Sequence, residues 1–376
     1  MPKLPAPKDG KTLYVKDRLL PFSFFPVKRD KKRYGLYDSV FAMSPWAVME
    51  SAVRSRVSDA ELRSEALAFL EQAQDFHASA TSRLAANPLL LYYSFLNLGK
   101  ALLLTLGHPT TLDRAAHGLS EQRLATGVEL DDSVVVVMNT GNRVNVYAEL
   151  IERLGFARPS DGDTYPVPEL LSQIVVGHRI WREADKANTE RFIGLYSIEI
   201  VDSRTTKELW LRLYVPKGDL KRYGITRERL LNQGDLAGTF HEVDTTAMAL
   251  PKGVYACFEQ DTAVTYTGWP TDVVMDLVGN VRPRLWRIVT TTPEYRKYYL
   301  HLSPPGTVRL PQIASLWTLF FYFGSIVRYR PHLFDVVARG KYGAFVTEFI
   351  SAQSEQLLYL LASEMCTREI ARPAII

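Results

Sequence analysis

Arg328, Arg330 and His332 fall within one short segment, RYRPHLFD, and together they have the chemistry of an anion site. A guanidinium presents a planar fork of N–H donors to phosphate oxygens, and an imidazole titrates near neutrality, so the trio could bind a phosphate or a nucleotide. The same residues could equally cap a helix end and pair with acidic side chains of the body. Arg114 and His117 offer a similar choice upstream, between a phosphate contact and a turn histidine bonded locally. Two longer stretches combine basic and aromatic residues. Up to Arg33 the chain carries ten basic residues against three acidic ones, with Tyr14, Phe22, Phe24 and Phe25 among them. Such an arm can track a nucleic-acid backbone or lie as a strap on an acidic body. Arg282, Arg284, Trp286, Arg287, Arg296, Lys297, Tyr298 and Tyr299 suit stacking on single-stranded RNA or an ordinary edge strand.

What is missing narrows the chemistry further. The chain has no GxxxxGK[ST] loop, no strand followed by GxGxxG, no GxSxG elbow and no HExxH, so the common nucleotide loops, the serine-hydrolase elbow and the zinc-protease helix drop out. Its two cysteines, Cys257 and Cys366, each stand alone in an apolar stretch, which argues against a disulfide framework or a zinc knuckle. No metal and no cofactor is expected. The hydrophobic share of 47% and charged share of 23% are those of a globular protein. The net charge of +4 is concentrated in the N-terminal arm, and the remainder is slightly acidic. The opening MPKLPAPKDG lacks the apolar core of a secretory signal, so a cytoplasmic location is expected.

At 376 residues the chain should divide into two or three packed units. Five prolines, Pro2, Pro5, Pro7, Pro21 and Pro26, keep the arm from being helical. Ser44-Pro45 opens a helix through Trp46, Val48 and Val53, and Ser58 with Glu61 makes a capping box for an amphipathic helix running to Leu84. Asn87-Pro88 starts a third helix that ends at Gly107. Its core, PLLLYYSFLNLGKALLLTL, approaches the length of a membrane span, but Ser94, Asn97 and Lys100 in its middle favour a buried central helix. Strands are expected at Val134–Val137, closing by a hairpin into Val144 and Val146, at Leu195–Val201, Glu208–Val215, Val254–Phe258, Val264–Thr267 and Leu285–Thr290. Pro168–Trp181 and Thr226–Leu231 read as helical patches, and long helices return over Ile313–Val327 and Tyr342–Met365. The expected organisation is a basic arm over 1–43, a helical unit over 44–125, a mixed β-rich region over 126–300, and C-terminal helices over 301–376 that pack on the first unit.

The segment LYYSFLNLGKALL, Leu91–Leu103, with HGLS at His117–Ser120 and SIVRYRP at Ser325–Pro331, resembles the YaaC-like bacterial protein family. The same helix resembles the tyrosine-rich central helix of HEPN domains. Tyr92, Tyr93, Asn97 and Lys100 occupy the matching places, with asparagine where those domains often carry histidine. That resemblance implies an α+β fold in which N- and C-terminal helices form a HEPN-like bundle around a β-rich centre. It adds Asn97 and Lys100 to Arg114, His117, Arg328, Arg330 and His332 as candidate phosphate- or nucleic-acid-binding residues. Many HEPN domains are metal-independent ribonucleases that use an arginine to hold the scissile phosphate and a histidine four to six residues further on to move a proton. Arg296 and His301, in RKYYLH, have that spacing, which also arises readily by chance. Two functions follow. One is a non-catalytic scaffold that holds RNA, other nucleic acid or a protein partner, placed in antiviral defence by fold-level analogy. The alternative is a HEPN-type endoribonuclease using Arg296 and His301 or the Arg328–His332 cluster. HEPN domains often pair, which implies a homodimer, and no membrane partner is expected.

Overall fold

The computed structural model describes residues 3–15, 17–25, 39–80, 87–123, 130–175, 177–246, 248, 254–292, 297–304 and 306–373. The fold is α+β. Two compact units divide the chain, one built from 1–40 with 190–309 and the other from 41–189 with 310–376.

The second unit begins with α1 (Trp46–Arg56), α2 (Ala60–Ala80) and α3 (Asn87–Thr105). The start of α2 lies one residue beyond the expected Ser58 cap: Asp59 Oδ1 accepts the Leu62 N–H at 2.9 Å, which also sets a negative charge at the positive end of the helix dipole. Pro88 sits in the first turn of α3, where its missing N–H costs nothing. At the other end Gly107, at φ +84°, donates to Leu104 while His108 donates to Leu103, closing the helix with a left-handed residue.

Between the terminal helices come α4 (Val146–Arg153), α5 (Val167–Ser172) and α6 (His178–Ala184), with a three-stranded antiparallel sheet of Leu119–Arg123, Ser133–Val137 and Thr164–Pro166. Val134–Val137 is the central strand of that sheet, but its partners differ from the expected hairpin. Asn145 starts a helix instead, accepting the Ala148 N–H on its side chain at 2.9 Å; a good N-cap outweighs the strand preference of Val144 and Val146. The chain then returns as α7 (Gln312–Tyr329), α8 (Pro331–Arg339) and α9 (Gly343–Cys366).

Helix α3 is buried on most sides, and α2, α7 and α9 all pack on it. Its glycine permits a close approach, since a Cβ at Gly99 would overlap the Trp317 ring of α7. In return, a Cβ at Gly324 of α7 would come within 2.8 Å of the Tyr92 side chain. Phe95, Phe320, Phe349 and Phe323 continue the contact as a chain of rings 4.8 to 5.3 Å apart, each worth roughly 1.5–3 kcal/mol in burial. Two buried hydroxyls of α3 are satisfied by backbone carbonyls: Ser94 Oγ donates to Ala73 of α2 at 2.6 Å, and Thr105 bonds back to Ala101. No helix among the described residues is long and apolar enough to cross a membrane.

The other unit is organised on an antiparallel sheet. Its strands are β1 (Lys11–Thr12), β2 (Ser197–Ser203), β3 (Glu208–Pro216), β4 (Phe240–Val243), β5 (Tyr255–Gln260) and β6 (Val264–Thr265). They run in the order β1-β2-β3-β5-β4, with β6 also on β3. Alternation along β3 places Leu209, Leu211 and Leu213 on one face and Trp210, Arg212 and Tyr214 on the other, and all are buried. The described part of the arm helps cover the second face: Gly10 lies against Trp210, Leu13 donates to Ile200, and Lys8 donates its N–H to Glu259 and its ammonium to the carbonyls of Gln260 and Asp261. Phe22, Phe24 and Tyr298 then form an edge-on cluster. The basic run Lys28–Arg33 lies outside the described residues. The expected strand at Leu285–Thr290 is mostly helix, because Leu277, Val281, Leu285 and Ile288 are one buried helical stripe of Val274–Ile288 and only Val289–Thr291 is extended.

Candidate functional site

In the helical unit, the packing of α7 on α3 and on the strand Leu119–Arg123 leaves a pocket of about 470 Å³. It brings together Arg328, Arg330 and His117, three of the residues that the sequence marks for phosphate. Helix α3 contributes Leu89, Tyr92, Tyr93 and Leu96, a stripe at helical spacing. Phe321 and Tyr329 complete the aromatic lining.

The two arginines differ in their engagement. Arg330, the residue that ends α7, pairs with Glu121. The Glu121 side chain is only 3% exposed, so this ion pair answers a charge that could not otherwise stay buried. Arg328 is exposed and bonds to the Tyr93 hydroxyl, with its guanidinium 5.0 Å from the Tyr329 ring centre. Among the described residues Arg328 has no ion-pair partner, and its fork of donors remains available to an anion. His117 keeps an edge open to solvent while its ring meets Phe321 at 5.4 Å and Tyr92 at 6.4 Å. Partial burial, and then the cations Arg143 and Arg328, lower its pKa from the ordinary histidine value. The Leu119 N–H points to Nδ1 at 3.2 Å, so in the neutral ring the proton sits on Nε2. Burial foremost raises the pKa of Tyr92 far above the tyrosine range, and its hydroxyl stays protonated.

The other candidates lie elsewhere. Asn97 is buried and donates to Gln72 of α2 at 3.2 Å. Lys100 lies 4.7 Å from the ring centre of Phe69, and burial lowers its pKa against the opposing pull of Glu65 and Asp113. Arg114 is almost fully exposed beside Asp113, and His332 is exposed on α8. In the sheet unit His301 is buried at the end of the strand Tyr298–His301, with Ser303 Oγ 3.1 Å from its Nδ1 and Phe192 5.0 Å away. Arg296 lies outside the described residues. In the second basic stretch, Arg282 stacks on Trp286 at 4.0 Å and Arg284 bonds to Asp235 and Ala237, which are intramolecular duties. No group of histidine, cysteine and carboxylate side chains that could hold a metal occurs among the described residues.

Glu121 and Tyr329 were not singled out by the sequence reading. For Glu121 a signal exists: Leu119 and Glu121 stand two apart on the strand Leu119–Arg123, and Leu119 is buried, so the acid occupies an inward position that demands a partner.

Fold and pocket together define an α+β protein whose helical unit carries a cationic, aromatic-lined cleft. The chain belongs to the YaaC-like protein family, whose family model matches residues 41–365. No curated protein and no solved structure matches it.

Proposed function

We propose that this protein is a non-catalytic RNA-binding or scaffold subunit that holds a strand at the Arg328 pocket. The observation that carries the reading is the convergence of Arg328, His117 and Arg330 with four aromatic side chains in one cleft. Cations that meet phosphates beside rings that stack on unpaired bases are the usual means of gripping single-stranded RNA. The HEPN-like reading of α3 rests on Tyr92, Tyr93, Asn97 and Lys100, of which the two tyrosines line this cleft and the other two face α2. A place in antiviral defence, in the cytoplasm and as a homodimer, extends that kinship by analogy.

The test is binding of a labelled single-stranded RNA to the wild type and to Arg328→Gln across a range of salt. Loss of one charge-assisted phosphate contact should weaken binding about tenfold and reduce the salt slope by about one. Equal affinity and equal slope for both proteins would overturn the reading.

The alternative, a metal-independent endoribonuclease, is favoured by one observation: His117, with its lowered pKa, shares a wall with Arg328. Arginine would hold the phosphate while the imidazole moves the proton. Cleavage in EDTA that His117→Ala abolishes, with binding retained, selects this alternative; intact RNA selects the scaffold.

A further inference from the structure

A second cation stands beside the Arg328 pocket without an acidic partner. Arg143 is exposed and lines a neighbouring cleft of about 370 Å³, and among the described residues it has no ion pair. The carboxylates of that cleft are engaged elsewhere. Glu149 pairs with Arg153 and Arg158, and Asp161 Oδ1 accepts the Asn139 N–H at 2.8 Å. Asn142, also exposed, brings an amide to the same cleft.

Backbone pairing sets the two clefts side by side. Ala116 donates to the Val144 carbonyl at 2.8 Å and accepts from the Val146 N–H at 2.9 Å, so the residue after Arg143 is laced to the residue before His117. Gly118 permits this approach, since a Cβ there would lie 1.8 Å from Asn145 Oδ1. His117 lines the Arg328 pocket. Burial first, and then Arg143 and Arg328, lower its pKa, which places both guanidiniums within electrostatic reach of one ring.

We infer that the bound strand does not end at the Arg328 pocket but runs on past His117 to Arg143, which holds a second phosphate. The inference rests on the reading of the Arg328 pocket as an RNA site and adds the path that the strand takes from it. A polynucleotide suits this arrangement, because its charge recurs along the chain and a groove with successive cations tracks it over roughly 4–16 nucleotides. A small anion held at Arg328 would be indifferent to Arg143.

A fluorescein-labelled oligo(U) 8-mer is titrated across a range of salt into the wild type, Arg143→Gln, Arg328→Gln and the double variant. Arg54→Gln, an exposed arginine of α1 paired with Glu50, controls for the loss of one positive charge. Arg143→Gln should weaken binding about tenfold and reduce the salt slope by about one, as one phosphate contact is lost. Contacts to separate phosphates add, so the double variant should be weaker by about a hundredfold. If Arg143→Gln binds like Arg54→Gln while Arg328→Gln is weakened, the path is overturned and the Arg328 site stands. Binding indifferent to both arginines would remove the RNA reading itself.

Discussion

Removing the carboxylate of Glu259 should be among the most damaging single changes in the sheet unit. Arg212 and Glu259 face each other across β3 and β5 in direct register, with side chains 8% and 0% exposed. Arg212 Nε donates to Glu259 Oε1 at 2.6 Å, the Trp210 indole N–H to the same oxygen at 3.2 Å, and the Lys8 N–H to Oε2 at 2.9 Å. Glu259→Ala strands a buried guanidinium and leaves two further donors unmatched, at a cost of about 3–5 kcal/mol. That is a large part of the roughly 5–15 kcal/mol that a folded protein commands. The double variant Arg212→Met with Glu259→Leu removes both charges and fills the space. It leaves the Trp210 and Lys8 N–H donors unmatched, together with the Lys8 carbonyl that accepts from Arg212 Nη2 at 2.7 Å, so at about 1 kcal/mol per unmatched group it should cost no more than about 3 kcal/mol, at or below the loss for Glu259→Ala alone. Urea unfolding followed by tryptophan fluorescence reads both, as a lowered midpoint at little-changed slope. A loss under about 1 kcal/mol for Glu259→Ala, the scale of an exposed pair, or a double variant worse than the single, would refute the reasoning.

Two further outcomes test the helical unit. Gly99→Ala would ordinarily gain about 1 kcal/mol of helix propensity, but the new methyl group enters the space of the Trp317 ring. Overpacking of about 1–3 kcal/mol should therefore win, and a raised melting temperature would contradict the close approach of α3 and α7. His77 packs between Trp46 and Phe95, and burial lowers its pKa against the opposing pull of Glu355. The unfolded chain therefore binds the proton more readily, and the stability that His77 contributes is complete above about pH 6.5 and is lost as pH falls through that value toward the folded pKa. His77→Phe should flatten the stability profile between about pH 7 and 5, where a single proton contributes a slope of at most about 1.4 kcal/mol per pH unit; an unchanged profile would assign the slope to other groups.

Much of the architecture could be read from local pattern. The all-round apolar character of α3 demanded enclosure, and the expected strands Leu195–Val201 and Glu208–Val215 are present as Ser197–Ser203 and Glu208–Pro216, which the structure pairs antiparallel. What failed were segments where one period imitates another. Leu285–Thr290 is apolar enough for a strand, and only the longer stripe from Leu277 reveals its helix. Val144 and Val146 looked like the return of a hairpin because their β-branched side chains outweighed Asn145, whose capping bond depends on a backbone turn that has to form first. The true partners of Ser133–Val137 come from either side, one of them beyond α4, where no local rule reaches.

The site was legible as a set of side chains and illegible as a place. Asn97 and Lys100 follow the tyrosine stripe along α3, yet they meet Gln72 and Phe69 of α2 because a helix enclosed on several sides gives each of its faces a different neighbour. Arg328 and Arg330 lie some two hundred residues from His117 and Glu121, and only the packing of α7 against the strand Leu119–Arg123 unites them. That packing also separates the two arginines of this cluster. Glu121 points inward and must be neutralised, and Arg330 does so, taking the structural duty of pairing with the body. With the buried acid already answered, Arg328, two residues earlier at the helix end, is held by a phenol and a ring rather than a carboxylate. On the proposed reading, that charge is the one left for an anion from outside.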